Sequence, residues 1–367
     1  MRRTFALVRY RQLVRGGEVR VDRLRLGGGV GTRGGRLNER MSRPLVWFRR
    51  DLRTHDNAAL HGASMTATRG VVGAYVICSE MWRKHDDASI KIDFWLRNLR
   101  ELSTALARLH IPLLVVRAEG TKQIGDCLLA VARAAHCDSL VYNHEYEVNE
   151  RRRDEVVARR LESEGLRVSG FHDRVIFAPG SIRTDEGRFY SVFTPFKRRA
   201  LQRLKEQSVE LLPEPKCQSP IEVQATSIPA RIEGWDVPAD ADQWPAGERA
   251  AIDRLRVFVE SSIVTYSRDR DAPAIDGTSS LSPYLAAGVL SPRQCFVTAC
   301  RANGGRYEEH NAGNGGAAQW ISELIWREFY QHILVGFPRV SMHRAFKPST
   351  NHIRWNENAD HFARSRA

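Results

Sequence analysis

The sequence predicts an α/β fold, with a doubly wound parallel sheet, followed by an all-α region. Three observations predict it. Short apolar runs alternate with amphipathic segments between residues 44 and 171, as in strands joined by right-handed helical crossovers. Prolines and polar residues then interrupt this pattern over residues 178–248. From residue 249 onward, helical periodicity occurs without an intervening strand pattern.

The first region contains five candidate strands and three candidate helices. The strands are short apolar runs of the kind buried in parallel sheets, at residues 45–48, 70–78, 111–117, 139–143 and 166–171. The helices between the later strands are amphipathic or strongly charged, at residues 92–110, 122–135 and 149–164. Ligands of such sheets bind beyond the carboxyl ends of the strands. Here those ends are residues 49–51 and 144–150.

Composition divides the chain into an Arg/Gly-rich extension (1–42), an α/β domain (43–177), a connector (178–248) and a helical domain (249–367). The extension has no Lys and no sustained period. A flexible arm that touches nucleic acid explains it, and so does a start codon assigned too early, with translation beginning at Met41. Its G-x-G-x-x-G match lacks the preceding strand and following helix that a dinucleotide site needs.

The net charge of +13 suggests a nucleic-acid partner. Residues 1–43 contribute +9 and the remaining residues only +4, so a DNA-binding surface on the body of the protein must be a local patch. The six cysteines include no C-x-x-C pair, which favours reduced thiols and no metal site. No apolar run approaches the ~20 residues of a membrane span. We therefore expect a cytoplasmic protein.

Residues 320–332 predict a helix with two unlike faces. One face is apolar every four positions and is expected to be buried; it consists of Ile321, Ile325, Phe329 and Ile333. The other face gathers a carboxylate, a guanidinium and aromatic rings, namely Trp320, Glu323, Arg327 and Tyr330, with Trp326 at its edge. Such a face could form the wall of a pocket for a flat, polar ligand. The alternative is an ordinary surface ion pair between Glu323 and Arg327, worth about 0.2–0.5 kcal/mol.

Further helices are expected around this one. A short basic helix begins near residue 193, and an amphipathic helix covers residues 251–264. Ser282-Pro283 and Ser291-Pro292 each place an N-cap candidate before a proline at the first helical position.

Six motifs carry a resemblance to a known family, the DNA photolyases and cryptochromes. They occur in the family's order and at plausible spacing, at residues 46–53 (VWFRRDLR), 55–57 (HDN), 146–151 (YEVNER), 193–196 (FTPF), 277–283 (GTSSLSP) and 323–330 (ELIWREFY). The chain resembles most closely the microbial enzymes that repair cyclobutane pyrimidine dimers in DNA. The family's fold, an α/β domain, a long connector and a helical domain that holds FAD, agrees with the order of elements predicted above.

The resemblance implies a flavin site and a DNA site in the helical domain. The positions that match FAD contacts are Tyr266, Thr278, Ser279, Ser280, Leu281, Ser282 and Trp320. The stretch that matches the contact with damaged DNA is Glu323, Leu324, Ile325, Trp326, Arg327, Glu328, Phe329 and Tyr330. Within it, Glu323 and Trp326 are the implied catalytic pair that orients and polarises the dimer. Ser280 departs from the family, which usually has a basic residue there.

Two further roles are implied outside that stretch. Asn149 and Glu150 match positions that bind a folate antenna, 5,10-methenyltetrahydrofolate, in some members, although residues at a helix start could equally be caps. Met342 stands where close relatives carry Lys, which weighs against the folate. Trp355 matches the outermost tryptophan of the chain that carries electrons to the flavin.

The implied reaction is light-driven repair by a monomeric lyase, in which reduced FAD donates an electron to the dimer. Two alternatives stay open. One is a cryptochrome-like flavin photoreceptor that repairs nothing. The other is an inactive gene fragment, because the resemblance puts the rest of the family's flavin pocket beyond Ala367 and leaves the helical domain incomplete; a purified chain of that kind would be colourless.

Overall fold

The structure is a computed structural model, and it describes residues 42–236, 238–308, 315–354 and 358–364. The Arg/Gly-rich extension before Ser42 and the predicted electron carrier Trp355 lie outside the described residues. The chain from Met41 to Ala367 packs as one unit. The boundaries proposed within it, at residues 178 and 249, remain predictions.

Five parallel strands form the sheet: β1 (Pro44–Phe48), β2 (Val72–Ile77), β3 (Leu113–Arg117), β4 (Ser139–Asn143) and β5 (Arg167–Phe171). Their spatial order is β3-β2-β1-β4-β5, with Leu45 of β1 in register between Val72 and Leu140. The sequence reverses direction across the sheet on either side of β1, which is the doubly wound arrangement. This confirms the predicted α/β class and all five strands.

Five helices accompany the sheet: α1 (Ala58–Thr66), α2 (Ser79–Lys84), α3 (Ser89–Arg108), α4 (Ile124–Ala134) and α5 (Val148–Glu162). The last three agree with the predicted helices. The sequence analysis missed α1 and α2. Helix α1 is held at its start by Asn57, whose side chain accepts a hydrogen bond from the Leu60 N–H.

The helical region contains α6 (Phe193–Glu206), α7 (Glu248–Ser261), α8 (Tyr266–Asp269), α9 (Ser282–Ala287), α10 (Pro292–Ala302), α11 (Gly315–Gly336) and α12 (Ala359–Arg364). The predicted cap of α10 is confirmed, because Ser291 and Gln294 form a reciprocal capping box. The predicted cap of α9 is wrong. Leu281 occupies the N-cap position, with backbone angles in the helical region, and Ser282 is the first residue of the helix.

The helical region packs directly against the α/β region. The ring of Phe94 on α3 lies 5.4 Å from that of Tyr284 on α9, edge to face, inside a shared apolar core. Gly288 ends α9 with φ of +70°, and a Cβ there would lie 1.9 Å from the carbonyl oxygen of Arg50. This close approach fixes α9 against the loop after β1.

The predicted connector is mostly irregular, but hydrogen bonds attach it to the α/β region. Thr226 donates its backbone N–H to the Leu113 carbonyl on edge strand β3 at 3.1 Å. Trp235 donates its indole N–H to Asp87 O at 2.7 Å, and Arg97 of α3 donates to Trp244 O at 2.7 Å. The connector therefore wraps the α/β region that precedes it. In the described part of the chain, no helix combines the length and apolarity that crossing a bilayer requires.

Candidate functional site

Glu323 of α11 is joined to α8 by an ion pair. Its Oε1 accepts hydrogen bonds from Arg270, directly after α8, and from Gln319 at 2.8 Å. The guanidinium of Arg270 also lies 5.5 Å from the centroid of the Tyr266 ring. The structure thus brings together Glu323, from the implied lesion strip, and Tyr266, from the implied flavin site.

Arg270 is the site residue that the sequence analysis missed. The hydrogen bond to Glu323 raises the pKa of this guanidinium, which keeps Arg270 charged. The sequence signal that could have identified Arg270 is its spacing. It follows Tyr266 by four residues, or one helical turn, and such residues are neighbours on a helix.

Arg327 does not pair with Glu323, so the predicted surface ion pair is wrong. Arg327 Nη1 donates to the carbonyl oxygen of Arg174 at 2.7 Å and lies 3.7 Å from the carboxylate of Glu328. Burial lowers the pKa of Arg327. The residue faces the segment after β5, because tertiary packing there outweighs a pair worth a few tenths of a kcal/mol.

Trp326 belongs to a stack of three aromatic rings. Phe193, the first residue of α6, lies face to face on the indole, with centroids 3.6 Å apart and planes at 10°. Tyr330, one turn further along α11, stacks at 5.6 Å and 26°. Tyr330 is 56% exposed. The stack therefore has one end open to solvent.

Half of the implied DNA-contacting stretch is buried, which corrects that prediction. Leu324, Ile325 and Phe329 belong to the apolar core, and Glu328 has no exposed surface. Eight consecutive residues cover more than two turns of a helix, so they cannot all face one ligand. The side chains left for contact are Glu323, Trp326 and Tyr330. The helical spacing also placed Trp320 and Arg327 on this face, but Trp320 is buried and Arg327 donates to the carbonyl oxygen of Arg174.

The implied flavin-contacting run forms a turn beside α8. Thr278 and Ser282 are exposed, Ser279 and Ser280 are half-buried, and the side chain of Leu281 is in the core. A Cβ at Gly277 would lie 2.6 Å from Asp269 Cβ, at the end of α8. Arg254 of α7 donates to Ser279 O at 3.1 Å. Any contact made by Leu281 would thus involve its backbone alone.

The residues of this turn fit the diphosphate of a dinucleotide. Hydroxyl groups are exposed on the turn, and the cationic side chains Arg254, Arg268 and Arg270 lie on the adjoining elements. The two implied aromatic contacts are packed behind it. Trp320 lies 4.9 Å from Phe258, and Phe258 lies 5.7 Å from Tyr266. Tyr266 and Trp320 are both buried in this aromatic cluster, so their contact with a flavin stays a prediction.

Comparison with known proteins identifies the family of the chain. The family model for DNA photolyase matches residues 44–216. Deoxyribodipyrimidine photo-lyase of Salmonella typhimurium is 39% identical over 319 residues, covering 87% of this chain and 66% of that protein. The Escherichia coli protein of the same name is 37% identical over 323 residues. That alignment covers 88% of this chain and 66% of the Escherichia coli protein.

The chain belongs to the DNA photolyase family. A class III photolyase from Agrobacterium tumefaciens superimposes with a TM-score of 0.72 at 25% identity, covering 88% of this chain and 65% of that one. A cryptochrome from Synechocystis shares the fold, with a TM-score of 0.69 at 21% identity. The chain spans about two thirds of the length of these relatives.

A basic surface lies beside the aromatic stack in this family member. Helix α6 exposes Arg198, Arg199, Arg203 and Lys205 to solvent. Its remaining cation, Lys197, donates to Ser322 Oγ of α11 at 3.0 Å, which holds the two helices together. The local patch that a DNA-binding surface requires is thus present next to Trp326.

The crevice at the carboxyl ends of β1 and β4 is filled by ion pairs. Arg50 lies 3.4 Å from Glu145, 3.1 Å from Glu147 and 3.6 Å from Glu150. Burial alone would raise the pKa of Glu145, but Arg153 and Arg50 outweigh it and lower that pKa.

The two residues implied for a folate antenna therefore differ in their surroundings. Glu150 is buried against Arg50, whereas Asn149 is exposed. Neither one caps α5, because Glu147 holds the cap position and the helix starts at Val148. The capping alternative is wrong, and the folate role stays a prediction.

Proposed function

We propose that this chain acts in the light-driven repair of cyclobutane pyrimidine dimers in DNA. The observation that carries the proposal is the link from Glu323 through Arg270 to Tyr266, which joins the implied lesion strip to the implied flavin site. Relatives named deoxyribodipyrimidine photo-lyase support the reaction class. In a cryptochrome-like receptor, by contrast, the strip would have no lesion to orient.

Glu323 orients the dimer in this proposal. Its Oε1 is occupied by Arg270 and Gln319, which leaves Oε2 to accept a hydrogen bond from the imide edge of a pyrimidine. Arg270 and Gln319 together restrict the rotation of this carboxylate. A charge-assisted hydrogen bond of this kind is roughly twice as strong as a neutral one.

Stacking on Trp326 offsets part of the free energy needed to extrude the dimer from the duplex. Extrusion costs a few kcal/mol and is easiest at a damaged, poorly stacked site. Stacking on an aromatic ring returns about 1–3 kcal/mol per base. Phe193 covers one face of the indole and Tyr330 stacks beside it, so the flipped pyrimidine extends this stack at its solvent-exposed end. The exposed cations of α6 hold the flanking phosphates.

The proposed cofactor is FAD, with its diphosphate on the turn formed by Thr278, Ser279, Ser280 and Ser282. When bound and reduced, FAD supplies the electron that opens the cyclobutane ring in light. Arg254 and Arg270 offset the charge of the diphosphate, and Tyr266 closes the site behind the turn. A folate antenna would have only Asn149 free to contact it at the start of α5.

The setting that we propose is a monomer in the cytoplasm bound to damaged DNA. No partner chain is needed to complete the Glu323–Arg270–Tyr266 link, since all three residues come from one chain. Size-exclusion chromatography with light scattering, with and without a dimer-containing duplex, tests the monomer.

The repair proposal is tested by illuminating the chain with added reduced FAD and a duplex that carries one thymine dimer. We expect the dimer to disappear in light and to persist in darkness. The Glu323→Gln variant should repair more slowly, because the imide edge loses a charged acceptor. Equal dimer content in light and darkness, with flavin demonstrably bound, would leave the photoreceptor as the better explanation.

A further inference from the structure

Glu328, on the buried side of α11, binds the backbone of the segment that follows β5. Its Oε2 accepts hydrogen bonds from two consecutive backbone N–H groups, those of Ile176 at 2.8 Å and Phe177 at 3.1 Å. The residue has no exposed surface. A contact with DNA is therefore excluded for Glu328 in this conformation, and its carboxylate has a different task.

The neighbouring residue completes a clip between α11 and that segment. Arg327 donates to the carbonyl of Arg174, so two adjacent side chains of one helical turn hold three backbone groups within residues 174–177. Adjacent residues of a helix point about 100° apart. Two such attachments restrain the rotation of α11 about its own axis more than a single attachment would, in addition to the packing of its buried apolar face.

That rotation determines where the lesion-facing side chains point. Glu323 and Trp326 lie on the turns just before the clip, on the opposite side of α11 from Glu328. We propose that Glu328 is a positioning residue, which sets the orientation of Glu323 and Trp326 toward DNA without touching it. This inference rests on the proposed function, although its first test below does not.

The electrostatic surroundings give the carboxylate a role that hydrogen bonds alone do not. Burial raises the pKa of Glu328 to about 7, although Arg327 favours its charged form. The other charged or titratable groups that interact with it are Tyr146 after β4 and Arg293 of α10. Arg174 after β5 and Cys295 of α10 act on its neighbour Arg327. Its second oxygen, Oε1, has no hydrogen-bond partner and lies 3.7 Å from Arg327. The negative charge of Glu328 thus interacts with Arg327. Its hydrogen bonds hold the backbone at Ile176 and Phe177.

Two substitutions separate these roles. Glu328→Gln keeps a carbonyl oxygen for the N–H groups of Ile176 and Phe177 but removes the charge beside Arg327. Glu328→Ala removes both. Because a buried carboxylate with a raised pKa costs stability once it ionises, Glu328→Gln should unfold at the same or a higher temperature than the wild type at about pH 8. A residue of merely structural importance would not improve stability while harming recognition.

The first measurement needs no DNA. Acrylamide quenching of Trp326 is isolated by subtracting the fluorescence of a Trp326→Phe protein in the same background. We expect Glu328→Ala to make Trp326 clearly more accessible to the quencher. Unchanged quenching of Trp326 in a folded Glu328→Ala protein would overturn the positioning role, whatever the chain does with DNA.

The second measurement compares affinities for a duplex with one thymine dimer and for the undamaged duplex. We expect the wild-type preference to fall several-fold from about pH 8 to about pH 6, as Glu328 becomes protonated. Glu328→Gln should show the lower preference at both pH values, and Glu328→Ala should lose roughly tenfold. A pH-dependent preference that persists in Glu328→Gln would overturn the role of the charge. A wild type without any preference, but with the quenching change, would contradict the repair proposal and leave the clip intact.

Discussion

Phe193 at the start of α6 and Trp326 of α11 stack face to face, with ring centroids 3.6 Å apart. The contact joins the FTPF motif to the ELIWREFY motif, which are separated by more than a hundred residues in the sequence. It fixes the plane of the indole within a stack whose solvent-exposed end is Tyr330. The two motifs therefore act as one surface.

Replacing Phe193 tests whether its ring holds Trp326 in place. Phe193→Leu keeps apolar bulk but removes the ring stack, which is worth about 0.5–1.5 kcal/mol. We expect Trp326 to become more accessible to acrylamide and the affinity for a dimer-containing duplex to fall roughly two- to tenfold. Phe346→Leu, at another half-buried ring pair, is the matched control. Equal losses in both variants would contradict a specific role for Phe193.

The Arg270–Glu323 pair should couple in recognition more than in stability. Both side chains are partly exposed, so the pair contributes about 0.2–1 kcal/mol to unfolding. A double-mutant cycle with Arg270→Ala and Glu323→Gln should show a larger coupling in lesion affinity than in unfolding. Arg268→Ala, which removes a similar pair with Asp269, is the control. Additive effects on lesion affinity would show that the two residues act independently.

Trp326 should contribute most of the stacking energy. We expect Trp326→Ala to weaken binding of a dimer-containing duplex by about 1–3 kcal/mol while affinity for undamaged DNA changes little. Trp326→Phe should lose less, because a smaller ring remains. Trp235→Phe, in an aromatic cluster with Trp82, serves as the control. Equal losses for damaged and undamaged DNA would mean that Trp326 holds the backbone instead of a flipped base.

Acid should unfold the protein through Asp173. This buried carboxylate binds Arg53 at 2.6 Å and Arg293 at 3.1 Å. Burial opposes its charge, but Arg53 and Arg293 outweigh burial and lower its pKa. A lowered folded pKa stabilises the protein fully above the unfolded value of about 3.9, and that stability is lost as the pH falls through the folded value.

The matching substitution is Asp173→Asn. It should cost about 3–5 kcal/mol near neutral pH, because the buried guanidinium of Arg53 loses its partner carboxylate and that of Arg293 keeps only Asp56. The difference from wild type should shrink as the pH falls below about 4. Urea unfolding at several pH values measures both effects. A pH-independent difference would contradict the assignment of the charge.

The centre of the sheet could be predicted because β1 and β2 are apolar runs between polar segments. The edge strand β5 is more polar and partly exposed, and its place in the alternating pattern predicted it. Leu45 and Val46 are fully buried, and both sides of β1 are covered. Helix α1 could not be predicted, since small residues such as Ala59 and Ala63 give it no clear polar face. Helix α8 has only four residues, too few for a period to show.

The accessible side of α11 could be predicted from the sequence, but the ion-pair partners of its side chains could not. Helical spacing correctly grouped Glu323, Trp326 and Tyr330 on the accessible side of α11. It assigned the wrong partner to Glu323, because Arg270 approaches from a separate element and local spacing carries no tertiary information. The burial of Glu328 was hidden for the same reason, since the segment that covers it lies about 150 residues earlier.

The most direct test of the account is the ratio of Kd values for undamaged and dimer-containing duplexes, measured for the wild type and for a Glu323→Gln/Trp326→Phe double variant. The account predicts a clear preference of the wild type for the dimer and nearly equal affinities in the variant, with its binding of undamaged DNA retained through α6. A wild-type ratio of about one, or a preference that survives in the double variant, would contradict it.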